Sequence, residues 1–152
     1  MKEIVEAIQS LSSVYEVLAK NTNLIFNALK TKDYKTKDSL EEQLQELYAL
    51  KERAEIYLIH LVKEKANSLN LDDRRIEAIL DIYPDGEEKM FVQYELEKML
   101  SKIQQFQFYL KRNIEFAKSF IEVKGKELEF MFEAVQREQY QMNGPMLLNE
   151  DL

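Results

Sequence analysis

The chain is expected to fold as an all-α protein: an antiparallel bundle or coiled coil of three long helices plus one short helix, with an extended C-terminal helical tail. Three observations lead there. Turn formers are scarce, with 3 glycines, 2 prolines and no tryptophan against 32% charged residues, so long helices joined by short connections suit the composition. The first thirty residues carry a sustained heptad seam. From Glu87 to Met142 the chain runs without a proline and with a single glycine, Gly125. As one helix that last stretch would reach roughly 80 Å, against roughly 45 Å for each of the other two long patterns. Its apolar face is therefore longer than the rest of the bundle can cover, and the uncovered part calls for a further partner.

Composition sets the bounds. A length of 152 residues with 45% hydrophobic content suits one domain with one core. The formal charge of −7 disfavours nucleic acid and anionic membranes, which demand clustered Lys and Arg, whereas the basic residues here alternate with acidic ones. Without cysteine there is neither a disulfide nor a thiolate metal site. Met1-Lys2-Glu3-Ile4 opens an amphipathic pattern instead of a signal-peptide core, and no apolar run is long enough to insert in a membrane. A cytoplasmic protein is the expectation.

In the first element Ile4, Ile8, Leu11, Tyr15, Leu18, Ile25 and Leu29 alternate in steps of four and three, with Thr22 in the remaining slot. That rhythm predicts a helix over 3–31, packed lengthwise on one or two others at a shallow angle. The polar connection from Thr31 to Lys37 is short and implies an antiparallel neighbour. Asp38 with Glu41 forms a candidate capping box for a second helix over 39–68. Leu40, Leu44, Leu47, Leu50, Ala54, Leu58 and Leu61 would line one face of it, with Tyr48, Tyr57 and Val62 widening the stripe. Asp72 or Asp73 would cap a short helix over 72–83, whose Ile76, Ile79, Leu80 and Tyr83 share a face before Pro84-Asp85-Gly86 ends it. Packed across the end of the hairpin, this piece would act as a clasp.

The last element, 87–142, has its seam at Leu96, Met99, Ile103, Phe106, Leu110, Asn113, Ala117 and Phe120. There the phase slips: the next set, Ile121, Leu128, Met131 and Val135, follows from Ala117 by four instead of three. A stutter locally unwinds a coiled coil, and an interior glycine costs on the order of 1 kcal/mol relative to alanine. Gly125 is thus a candidate hinge between a bundle, 1–124, and a tail, 125–152; the other reading is a continuous helix that tolerates one glycine. Leu128, Phe130, Met131, Phe132, Val135, Tyr140 and Met142 crowd the tail without sharing one face. Flexible Met with Phe makes an adaptable binding surface, for a partner or for a second copy of the chain.

Catalytic chemistry finds no foothold in the spacing. Di-iron bundles need Glu-x-x-His pairs, and the single histidine, His60, has Tyr57 at that offset. Neither a nucleophile with a histidine base nor a glycine-rich phosphate loop is present. The acidic pairs Glu41-Glu42, Asp72-Asp73 and Glu87-Glu88 suit helix starts, where the macrodipole favours them. Leu47 to Lys65, with Arg53 and Lys63, is similar to the second helix of helical chorismate mutases, but the first helix has no arginine with which to grip a dicarboxylate. The chain is expected not to be an enzyme and to need no cofactor.

The whole chain resembles the FlgN-type flagellar export chaperones, over about residues 5–145. The likeness is carried by Lys32-Asp33-Tyr34 and the following Leu47-Tyr48-Ala49-Leu50-Lys51-Glu52-Arg53, by Leu110-Lys111-Arg112-Asn113, and by Tyr140-Gln141-Met142-Asn143-Gly144. Thr31, where that family often has glycine, and Gly125 depart from its pattern. The resemblance implies a cytoplasmic chaperone of type III flagellar export, holding the helical terminal segments of hook-filament junction proteins before secretion. Carried over by position, Leu128, Phe130, Met131, Phe132 and Val135 would contact the client helix, and Tyr140 would dock at a membrane protein of the export gate. A homodimeric structural or regulatory coiled coil, or a related secretion chaperone with another client, remains the alternative.

Overall fold

The computed structural model describes residues 1–124 and 132–138, the side chains of the first part up to Ser119. Four helices order the first part: α1 (Lys2–Lys30), α2 (Tyr34–Ser68), α3 (Ile76–Ile82) and α4 (Glu87–Lys124). Residues 132–138 are helical as well. The fold is all-α, its long helices packed lengthwise, with α1 against both α2 and α4.

Pairings along the helices fix their directions. On α2, Asn21 donates to the Leu40 carbonyl (3.2 Å) while Tyr15 donates to Glu55 (2.7 Å), so α2 runs antiparallel to α1. On α4, the Met1 amino group lies 3.8 Å from Glu88, the Tyr15 and Phe106 ring centroids are 6.0 Å apart, and Asn113 donates to the Thr22 carbonyl (2.8 Å). Both partners advance together, so α4 is parallel to α1, having been carried back by α3 and its flanking turns. The heptad seam of α1 is buried throughout, Thr22 included. On α4 the expected seam from Leu96 to Ala117 is buried too, extended by Val92 and Ile114. Thr22 and Asn113, the polar members of the two seams, meet each other, one heptad beyond the contact of Tyr15 with Phe106. The Asn113 side-chain amide thereby finds its partner in the Thr22 backbone carbonyl, which ties the register of the two helices.

Helix boundaries depart from expectation at the connections. α1 ends in a Schellman-type turn: Lys32 takes a left-handed φ of 59°, and the Asp33 amide reaches back to the Ala28 carbonyl (2.9 Å). The turn leaves Asp33 free to cap α2, its carboxylate accepting from the Thr36 amide (3.1 Å). α2 therefore starts at Tyr34 instead of Ser39, and Asp38 is no cap but pairs with Lys37 (2.9 Å). Asn70 (φ 56°) repeats the device at the other end, where the Leu71 amide bonds the Ala66 carbonyl (3.0 Å). α3 begins at Ile76 instead of 72, because Asp73 spends its carboxylate on the Arg75 amide (3.0 Å) and guanidinium (2.8 Å) in a local turn. It stops at Ile82 because Tyr83, extended before Pro84, cannot continue a helix. Packed on α2, α3 buries Ile76, Ile79 and Leu80.

The inward face of α2 also differs from the expected stripe. Leu50 and Tyr57 are exposed, at 45% and 52%. Inward stand Leu44, Tyr48, Lys51, Leu58 and Val62, with Glu55 half-buried among them. Spaced by four and three, these positions form the true heptad seam, and two of its slots hold an ion pair in place of apolar side chains. With 35 residues in α2 and 38 in the described α4, these two reach about 52 and 57 Å; whether α4 runs on to Met142 lies outside the described residues.

Candidate C-terminal helix seat

Residues 132–138 form two turns of helix laid against the bundle. Phe132, Val135 and Glu138, three apart, share one face. Phe132 packs half-buried on the core, Val135 is 3% exposed within it, and Glu138 is 6% exposed. Burial of these side chains fastens the segment to the bundle.

The polar end of that face is electrostatically unfavourable. Burial first, then the charge of Glu41 on α2, push the Glu138 carboxyl up to about 8, with Arg137 offsetting only part. Tyr48 of α2 is pushed well up by burial, and the charge of Glu138 adds to the shift. Glu41 is itself raised by burial, against the pull of Lys37, whose ammonium stands 3.6 Å away. Two carboxylates on facing elements thus share a poorly solvated edge, where like charges disfavour ionising both.

Deeper in the bundle the Tyr48 ring lies 6.2 Å from Phe106, and the buried Lys51 ammonium sits 5.8 Å over Tyr48 and 6.0 Å over Tyr15. Lys51 is 3.9 Å from Glu55, which accepts the Tyr15 hydroxyl. Tyr48 thus links this cluster to the edge that Glu138 occupies.

Of the residues singled out in the sequence, Phe132 and Val135 are brought together on the inward face of the short helix. Gly125, Leu128, Phe130, Met131 and Tyr140 lie outside the described residues. Glu138 was missed, although its spacing from Val135 places it on the same face. Arg112 and Asn113 have structural work: Arg112 stacks on Phe26 at 3.7 Å and donates to Asn23 (2.9 Å), while Asn113 closes the polar contact with Thr22. Lys32 and Asp33 form the helix stop and cap described above. His60 is exposed and faces Glu64 at 3.1 Å. On the side of α4 opposite the core, Met90, Tyr94 and Phe108 are exposed, and Phe91 stands beside them. Among the described residues no helix is long and apolar enough to cross a membrane. Comparison of the chain with protein-family models, curated proteins and solved structures finds no match.

Proposed function

We propose that this chain is a cytoplasmic export chaperone of the flagellar type III pathway, and that it captures the helical terminal segments of hook-filament junction proteins through its C-terminal segment. The observation that carries the reading is the helical stretch 132–138, whose apolar edge, Phe132 and Val135, is buried against the bundle. Complete burial of a valine is worth about 1.5–3 kcal/mol, and ordering one backbone residue costs about 1–2 kcal/mol. The contact that Phe132 and Val135 make with the bundle can therefore be exchanged for one with a client helix. Leu128, Phe130 and Met131 would lengthen that edge, and Tyr140 would serve the export gate, as the resemblance implies. Capture and release of a helix need neither cofactor nor nucleotide. Folding a disordered client consumes roughly 2–5 kcal/mol of the gross interaction energy, which keeps release before secretion feasible.

The test is co-purification and titration with junction-protein terminal segments. A chain ending at Lys124 is expected to keep the helical circular dichroism of the bundle and to lose client binding. Phe132→Ala in the full chain is expected to weaken it about thirtyfold, the effect of losing one contact of roughly 2 kcal/mol. Unchanged affinity in the shortened chain would refute the assignment.

A second reading, a homodimeric coiled-coil protein, is favoured by the exposed Met90, Phe91, Tyr94 and Phe108 along α4. Light scattering over a concentration series separates the two: a dimer that persists on dilution supports the homodimer.

A further inference from the structure

We propose that residues 132–138 are a mask, folded onto α2 so that the client-binding edge faces inward, and that the carboxylates of Glu138 and Glu41 form the catch that releases it. The proposal rests on the chaperone reading for the nature of the client. The masking itself rests on placement. The two described residues assigned to client contact, Phe132 and Val135, are those that the bundle covers. A client helix and the bundle therefore compete for the same side chains, and the free chain holds part of its binding edge out of solvent.

A mask must also come off, and the same face carries the means. Glu138 is buried like the valine one turn before it, yet it puts an acid on the face that carries Phe132 and Val135, within the electrostatic reach of a second acid on α2. Among the described residues, the titratable and charged groups around it are Glu41 and Tyr48 of α2 and Arg137 of its own segment. Lys37 stands behind, engaged by Asp38 and Glu41. A neutral Glu138 can stay seated, whereas a charged one is drawn to water.

The sign follows from the raised value. Seating holds the Glu138 proton up to about 8, while the released segment loses it near the ordinary carboxylate value of about 4.3. The seated form therefore binds more protons throughout that window. Seating is strongest below it and weakens as pH rises through it, by at most about tenfold in the seated-to-released ratio per pH unit.

The full chain contains no cysteine, so Glu42→Cys and Glu133→Cys, both at exposed positions, can carry a single pair of nitroxide labels. Electron–electron distance measurements then count seated molecules, and 8-anilinonaphthalene-1-sulfonate fluorescence reports exposed apolar edge. Between pH 5.5 and 8 the seated population is expected to fall and the dye signal to rise. Glu138→Gln is expected to stay seated across the range, with low dye signal and at least tenfold weaker capture of junction-protein segments. Glu41→Gln should shift the transition to higher pH. A seated population that ignores both pH and Glu138→Gln would overturn the catch. A population that responds to both, in a chain that captures no junction-protein segment, upholds the catch and counts against the chaperone reading alone.

Discussion

Phe106→Ala is expected to lower the unfolding free energy by about 3–5 kcal/mol. Phe106 is fully buried, and its ring lies 6.0 Å from that of Tyr15 on α1 and 6.2 Å from that of Tyr48 on α2. Its ring contacts therefore join all three long helices. α1 packs broadly on α2 and on α4, and Phe106 meets Tyr48 between α4 and α2. Loss of the ring removes its transfer free energy and leaves a cavity between two aromatic side chains that cannot both collapse into it. For a domain with a total stability of about 5–15 kcal/mol, that is a large share. Urea denaturation followed by circular dichroism provides the measurement. Phe106→Leu, which keeps most of the volume, should cost much less; equal losses in the two variants would show that the site does not depend on ring packing.

The parts of this architecture that were legible in the sequence are those where one physical rule acted alone. The seams of α1 and α4 were readable because every slot but two is apolar, and the two exceptions, Thr22 and Asn113, turned out to face each other. α2 misled for a specific reason. Its inward seam contains Lys51 and Glu55, so a count of apolar residues shifts the face toward Leu47, Leu50 and Ala54, and Leu50 is in fact exposed. Only the partners that make a buried ion pair tolerable, the Tyr15 hydroxyl and the rings over Lys51, reveal the true phase, and those come from other parts of the chain. The connection after α1 misled because Lys32 adopts a left-handed conformation more often held by glycine or asparagine, which moved the cap from Asp38 to Asp33. At the C-terminal segment the apolar residues were visible but their cover was not. Whether Val135 faces a client or the bundle depends on long-range packing that local periodicity does not encode.

Lys51→Met is the second substitution with a large expected effect, about 3 kcal/mol of destabilisation near pH 8, and its pH dependence identifies the cause. The methionine keeps the length and packing of the side chain, so the change isolates the charge. In the wild type, burial raises the Glu55 carboxyl, and Lys51 is the chief influence holding it down, with the Tyr15 hydroxyl assisting. Without the ammonium, Glu55 is a buried carboxylate with one hydrogen bond and no cation, the situation in which breaking a buried pair costs about 3–5 kcal/mol. The donor that remains, Tyr15 at 2.7 Å, places the expectation at the lower end of that range. Because the folded-state value of Glu55 rises further in the variant, its folded form binds more protons than the unfolded chain from the ordinary carboxylate range upward. The penalty is therefore greatest above neutrality and shrinks as pH falls toward about 4.3, where the unfolded chain takes up the proton as well. Combining Lys51→Met with Glu55→Gln removes both charges while keeping an acceptor for Tyr15, and should recover most of the loss, a coupling of roughly 2 kcal/mol. Denaturant titrations of the four proteins at pH 5 and pH 8 complete the cycle. A Lys51→Met penalty that is the same at both values, or a double variant no better than the single, would mean that Lys51 acts through its packing alone and that the ion pair contributes nothing to the α2 seam.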